Sequence, residues 1–165
     1  MADLRALLTD LGYAHVETYI QSGNAVFDAP AKAPAIAREL TAALEKLTGA
    51  PVGVIVRTHQ ELDRLIAANP FAPESAADGA RVHVGFLAGP APATAKAQLD
   101  GIIAKYPARR DRYHLAGDTL YLNLPDGAAE TKFSGKSLDR ALGVMATARN
   151  WNTVLKLHSM SAREK

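Results

Sequence analysis

The spacing of apolar residues changes period several times along the first sixty positions. Leu4, Leu7, Leu8 and Leu11 recur at the i, i+3, i+4, i+7 spacing of an amphipathic helix, and Gly12 supplies its stop. From His15 to Ser22 the period drops to two, with Val16, Thr18 and Ile20 alternating against Glu17, Tyr19 and Gln21. A second short run, Ala25 to Asp28, follows Gly23-Asn24, so the two runs predict a β-hairpin closed by a two-residue turn. Pro30 and Pro34 introduce a helix with Ile36, Leu40, Leu44 and Leu47 on one stripe, ended by Gly49. The β-branched run Pro51 to Arg57 then predicts a strand.

Thr58 and Glu61 have the spacing of a capping box, which starts a helix through Leu62, Leu65 and Ile66; Asn69-Pro70 ends it, because the residue before proline is steered out of helical geometry. The stretch from Phe71 to Gly79 reads as a junction. Beyond it, Arg81 to Leu87 alternates as a strand, and Leu99, Ile102 and Ile103 mark a helix. Arg112 to Leu115 and Thr119 to Leu124 flank Gly117-Asp118, a second hairpin signal. Two helices follow, one around Leu138 and Leu142 up to Gly143, the other from about Trp151 to His158.

The order α, β, β, α, β followed by β, α, β, β, α, α predicts an α+β protein with two ferredoxin-like halves of the split βαβ kind, residues 1–72 and 73–165, forming one compact unit. In that pattern the first half lacks its opening strand, which is an inner one, and its absence leaves backbone groups and an apolar face uncovered.

Composition narrows the function classes. At 165 residues and 48% hydrophobic content the chain is large enough to fill a core without covalent help. With no cysteine, it has no disulfide framework, thiolate metal site or cysteine nucleophile. The absence of an apolar run near the roughly 20 residues of a membrane span, and of a signal-peptide pattern at Met1-Ala2-Asp3-Leu4-Arg5, gives a cytoplasmic expectation. The net charge of +2 is uneven: residues 1–131 hold 12 Lys and Arg against 15 Asp and Glu, whereas residues 132–165 hold 7 against 2. The basic C-terminal fifth is where an anion would be drawn.

Three stretches carry a resemblance: Thr18-Tyr19-Ile20-Gln21-Ser22-Gly23-Asn24-Ala25-Val26-Phe27, the triplet Asn69-Pro70-Phe71, and Ala146-Thr147-Ala148-Arg149-Asn150-Trp151-Asn152-Thr153-Val154. In this order and spacing they resemble the uncharacterised bacterial family known as domain of unknown function 1697, over nearly the whole chain. The resemblance implies no reaction and no cofactor. Members usually begin with a strand and a glycine-rich loop reading Arg-Gly-Ile-Asn-Val-Gly-Gly, which this sequence lacks. Met1 resembles an internal position just before the family's first helix, which implies an N-terminal truncation.

The densest polar stretch, Arg149 to Thr153, is the leading candidate site. Asn150 is a good N-cap before a helical stripe of Trp151, Val154, Leu155 and His158, and a helix N-terminus beside Arg149 suits a phosphate or carboxylate. Asn152 and Thr153 would add neutral donors, and Trp151 a stacking face. The competing reading is that Asn150 only caps, Trp151 only packs and Arg149 pairs with a carboxylate. Gln21, Ser22 and Asn24 at the first hairpin turn, with Arg57 and Lys132, complete the expected ligand-binding set.

Other patterns are weaker. Gly135-Lys136-Ser137 lacks the glycine of a phosphate loop, because Glu130 stands five residues before it. Lys132, Lys136, Ser134 and Ser137 otherwise read as a solvated helix start. Arg109, Arg110 and Arg112 with Tyr106 and Tyr113 suggest a nucleic-acid surface interrupted by Asp111, but no strand carries an RNA-recognition motif. His15, His59, His83, His114 and His158 form no His-x3-His pair, so no metal is expected, and no nucleophile motif appears. Three readings of function follow: a binder of an anionic small ligand, a nucleic-acid-binding module, or a structural or protein-interaction domain. Whether the chain is an enzyme stays open.

The missing opening strand gives the first prediction. Adding about 20 upstream residues in the family's strand-and-loop pattern should raise the melting temperature and solubility, measured by thermal unfolding and sedimentation; an unchanged melting temperature counts against it.

Overall fold

The computed structural model describes residues 1–162. Its elements are α1 (Ala2–Asp10), β1 (Ala14–Tyr19), β2 (Asn24–Asp28), α2 (Ala33–Thr48), α3 (His59–Ala67), α4 (Ala72–Ala77), β3 (Val82–Leu87), α5 (Ala95–Lys105), β4 (Arg112–Ala116), β5 (Thr119–Asn123), α6 (Gly135–Leu142), β6 (Ala146–Asn150) and α7 (Trp151–Ser161). Among the described residues, no helix is long and apolar enough to cross a membrane. The mixture of helices with two antiparallel sheets is an α+β architecture.

The chain divides into two units, Met1–Asp63 together with the chain from Leu155 onward, and Arg64–Val154. The boundary expected at residue 72 is not where these two units meet along the chain. Residues 64–72 belong with the second unit, and the last helix carries residues of both.

In the first unit β1 and β2 pair antiparallel, from Ala14 opposite Asp28 to Tyr19 opposite Asn24, with an irregularity between Ala14 and Glu17. His15 lies in that irregularity at φ 52°. The hairpin loop is Ile20 to Gly23 rather than the two-residue turn expected at Gly23-Asn24. Asn24 is drawn into the strand because its Nδ2 donates to the Tyr19 carbonyl at 3.1 Å and to Ser22 Oγ at 2.8 Å. Ile20 takes a left-handed φ of 50°, strained for a β-branched residue, and is half exposed. Leu8, Tyr13, Ile36 and Leu40 form the core, with Val16, Ala25, Phe27, Val54 and Val56 packed on it. Burial and the Glu39 carboxylate, which accepts from the Tyr13 hydroxyl, push that phenol up to about 12.

Residues 51–57 are not the expected strand: they join neither sheet. A β-branched run becomes a strand only in a ladder; β1 and β2 pair with each other, and no described strand lies alongside this segment. The capping box is formed as the spacing predicts, with Thr58 N donating to Glu61 Oε2 at 2.7 Å and Glu61 N to Thr58 Oγ1 at 3.2 Å.

The second unit is a four-stranded antiparallel sheet in the order β4-β5-β3-β6. The predicted hairpin is present, its two-residue loop Gly117-Asp118 closing on the Ala116–Thr119 pair. Two elements went unpredicted. The expected junction at 71–79 contains α4, held by Asn69, whose Oδ1 accepts from Phe71 N at 2.9 Å and whose Nδ2 donates to Ser75 Oγ at 3.0 Å. Ala146–Asn150 is a strand, β6, paired along β3 from Leu87–Ala146 to His83–Asn150. Leu87, Leu99, Leu120, Leu122, Leu124, Phe133 and Leu142 make one core; Val82 and Val84, also fully buried, face away from it in the pleat. Tyr121 shares their face, its hydroxyl donating to the Leu65 carbonyl at 2.8 Å.

His83 lies within β3 with its Nδ1 buried and lacking a hydrogen-bond partner, and burial pulls its pKa below the usual 6.5. The unfolded chain therefore takes up this proton before the folded one, and stability present above about pH 6.5 is lost as the pH falls. Urea unfolding should show a fall in midpoint on acidification that is smaller in His83→Gln; equal falls in both proteins would exclude His83 as the source.

Candidate functional site

The Arg149 to Thr153 segment changes secondary structure at its centre. Arg149 and Asn150 end β6, and Trp151 begins α7. Asn150 acts as the expected cap, its Oδ1 accepting from Thr153 N at 2.9 Å. The Trp151 amide is also engaged, donating to the Gly79 carbonyl at 3.1 Å. Two of the amides that would have faced an anion are thus occupied within the protein. Trp151 is buried at 6% exposure, which removes the expected stacking face, and Thr153 is buried as well. Asn152 is exposed, yet its amide group lies against Gly79, where a Cβ would overlap Asn152 Oδ1. The absence of a side chain at 79 lets the two segments meet.

Arg149 is half-buried, and loss of hydration lowers its pKa. Its Nη1 donates to Thr147 Oγ1 at 2.7 Å and to the Ala148 carbonyl at 2.8 Å, which orients the guanidinium at the junction. His83, opposite Asn150 in the ladder, is a neighbour that sequence reading did not assign.

Lys132 stands elsewhere in the second unit. Its Nζ lies 5.5 Å from the Tyr106 ring centroid, and it lines a shallow hollow with Ile102, Ile103, Tyr106, Arg109, Asp111 and Phe133, in which Arg149 and Asn150 take no part. Ser137 Oγ shares its one proton between the Ser134 carbonyl at 2.8 Å and the Lys132 carbonyl at 3.0 Å, which holds the start of α6. The arginine cluster is matched by carboxylates: Arg109 meets Glu130 at 3.2 Å, Arg110 meets Asp126 and Arg112 meets Glu74. These ion pairs neutralise the basic run and hold the Asp126 and Glu74 carboxyls below the ordinary range. Asp111 is buried and accepts from Thr131 Oγ1 at 2.7 Å.

Gln21, Ser22, Asn24 and Arg57 belong to the first unit. Gln21 and Ser22 are exposed on the hairpin loop, Asn24 is buried in closing it, and Arg57 is half-buried with Nη1 on its own Val56 carbonyl at 3.1 Å. The same unit holds a grouping the sequence did not reveal. His59 and Asp63, one turn apart on α3, meet His158 of α7, with His158 Nε2 at 2.6 Å from Asp63 Oδ1 and His59 Nε2 at 3.7 Å from Asp63 Oδ2. The hydrogen bond from His158 holds the Asp63 carboxyl below the ordinary range. The His59–Asp63 spacing was the available signal; its third member lies 95 residues beyond Asp63, beyond the reach of any local pattern.

The description "Protein of unknown function (DUF1697)" belongs to a family whose model matches residues 1–121. The chain belongs to this family. The DUF1697 match takes in the first two recognised motifs and stops before the third. A solved structure described as conserved bacterial protein SP0830 from Streptococcus pneumoniae is similar at 20% identity and a TM-score of 0.55, over 98% of this chain and 88% of that one. At that identity the likeness concerns the fold alone. No curated protein matches.

Asn150→Ala should lower stability by about 1 kcal/mol through loss of the cap, whereas Asn150→Asp should retain most of it. Urea unfolding tests this; an unchanged midpoint in the alanine variant would remove the cap from the account of this junction.

Proposed function

We propose that this DUF1697 protein binds a small compound bearing a phosphate or carboxylate, with Arg149 at the junction of β6 and α7 as the principal contact. The carrying observation is the half-burial of the guanidinium, whose charged form has lost hydration. An anion beside such a group gains more than it would beside a fully hydrated one, and guanidinium hydrogen bonds to carboxylate or phosphate are charge-assisted. The bonds to Thr147 Oγ1 and the Ala148 carbonyl reduce the rotamer freedom that binding must remove. The positive end of the α7 dipole adds a smaller attraction. With the Trp151 and Thr153 amides occupied, Arg149 itself supplies most of the interaction, and the exposed Asn152 side chain is the nearest neutral contributor.

The finer architecture belongs to the same reading. We take the second unit as a ferredoxin-like split βαβ, supported by its element order from β3 to β6 and the strand order β4-β5-β3-β6. The first unit is read as the same plan without its inner strand, supported by the one-sided hairpin and the unladdered segment 51–57. A second reading, a domain without any small ligand, draws support from the capped Asn150 and buried Trp151. The nucleic-acid reading keeps little support once Arg109, Arg110 and Arg112 stand beside carboxylates.

One titration separates these readings. Thermal unfolding with inorganic phosphate, citrate and adenosine monophosphate should show at least one compound raising the melting temperature of the wild type, by the equivalent of about 2.7 kcal/mol at a hundredfold excess over Kd. The gain should vanish in Arg149→Ala and shrink in Arg149→Lys, which keeps charge but loses the planar fork. No stabilisation by any of the three, or equal stabilisation in Arg149→Ala, overturns the proposal.

A further inference from the structure

The first unit carries a site of different chemistry, built from residues outside the Arg149 junction. His59 and Asp63 share one face of α3 through their i, i+4 spacing, and α7 brings His158 to the same carboxylate. The two imidazoles stack, centroids 4.5 Å apart and planes 13° from parallel, each presenting Nε2 to a different Asp63 oxygen. One ligand atom from each of the three side chains lies within 4.8 Å of the others.

A fourth residue sets the His59 tautomer. Ser161 Oγ donates its single proton to the His158 carbonyl at 2.8 Å, so at 2.9 Å from His59 Nδ1 it accepts a proton from that nitrogen. In neutral His59 the proton is thereby placed on Nδ1, and Nε2 keeps its lone pair toward Asp63. This is the preparation a metal-ligating histidine receives from its outer partner, which sets tautomer and ring orientation together. An ordinary histidine–aspartate ion pair requires neither the second stacked imidazole nor the serine behind it.

We propose that His59 Nε2, His158 Nε2 and one Asp63 oxygen bind a divalent transition-metal ion, with water in the remaining positions. Two imidazole nitrogens and one carboxylate suit zinc, cobalt, nickel or copper, whereas magnesium and calcium prefer oxygen-rich sites. In tetrahedral zinc geometry, bonds of about 2.0–2.1 Å place ligand atoms about 3.3 Å apart. The present spread of up to 4.8 Å must therefore contract, and the nearly parallel rings must turn out of their stack so that both in-plane Nε2 lone pairs converge on one point. Those side chains retain 35%, 53% and 29% exposure for His59, Asp63 and His158, so they have room to turn and an ion has a path in. Binding balances by charge and proton: the hydrogen that neutral His158 shares with Asp63 from Nε2 is exchanged through solvent for one on Nδ1, so the ring stays neutral as the Nε2 lone pair enters the metal's coordination sphere, and a ring that starts doubly protonated releases one proton.

Calorimetric titration of the full chain with zinc chloride should show one equivalent binding with micromolar Kd, and cobalt(II) should develop visible absorption of a site with nitrogen ligands. His59→Ala and His158→Ala should each weaken zinc at least tenfold, Ser161→Ala should weaken it by about 10- to 100-fold, and His15→Ala, which alters a different histidine–aspartate pair, should leave it unchanged. Metal-free thermal unfolding of each variant establishes that it is folded. Wild-type binding no tighter than millimolar, or zinc affinity that survives the combined His59→Ala and His158→Ala changes, overturns the proposal.

Discussion

Backbone pairing on both edges of β3 is the constraint from which the second unit follows. Val82 to Leu87 is laddered to β5 on one side and β6 on the other, and residues on both its faces are buried. A strand so placed has nowhere to put an unsatisfied amide, so each neighbour's register is set by it. The β5 register brings Leu120 and Leu122 to one face and Tyr121 to the other, and the β6 register delivers Asn150 opposite His83 at the threshold of α7. The candidate site is therefore a product of strand pairing first and of helix capping second. The first unit has no strand with partners on both sides among the described residues, and its β-branched segment at 51–57 stays outside any ladder.

Much of this fold is legible wherever the information is local. The leucine stripes of α1 and α2, the Thr58–Glu61 box, and the Gly117-Asp118 turn each depend on residues a few positions apart, and each forms where the pattern places it. Ala146 to Asn150 was unreadable as a strand because Ala-Thr-Ala-Arg-Asn has one β-branched residue and no large apolar side chain; β3 recruits it through backbone bonds that require no particular side chains. The reverse holds at 51–57, where strong β propensity finds no neighbour. At the first hairpin, Asn24 looked like a turn residue by type, but its side chain bonds back to Tyr19 and Ser22 and carries it into the strand.

The candidate sites divide along the same line. Asn150 as a cap could be read from residue type followed by a helical stripe. Burial of Trp151 and engagement of its amide by Gly79 could not, because the partner lies 72 residues earlier. The arginine run looked basic in sequence and is matched in space, since Glu74 comes from α4 and Asp126 and Glu130 from the loop between β5 and α6. His59, Asp63 and His158 show the opposite case, individually ordinary residues that acquire a shared chemistry when two helices approach.

The close approach of Gly79 to Asn152 has a consequence for how these two positions vary. The volume a side chain at 79 would need is already filled by the amide of residue 152. A side chain at 79 has to turn the exposed Asn152 amide aside, so the rotamer at 152 depends on what stands at 79. The residue at 79 therefore decides whether the amide of 152 lies along the backbone at 79 or turns out to solvent.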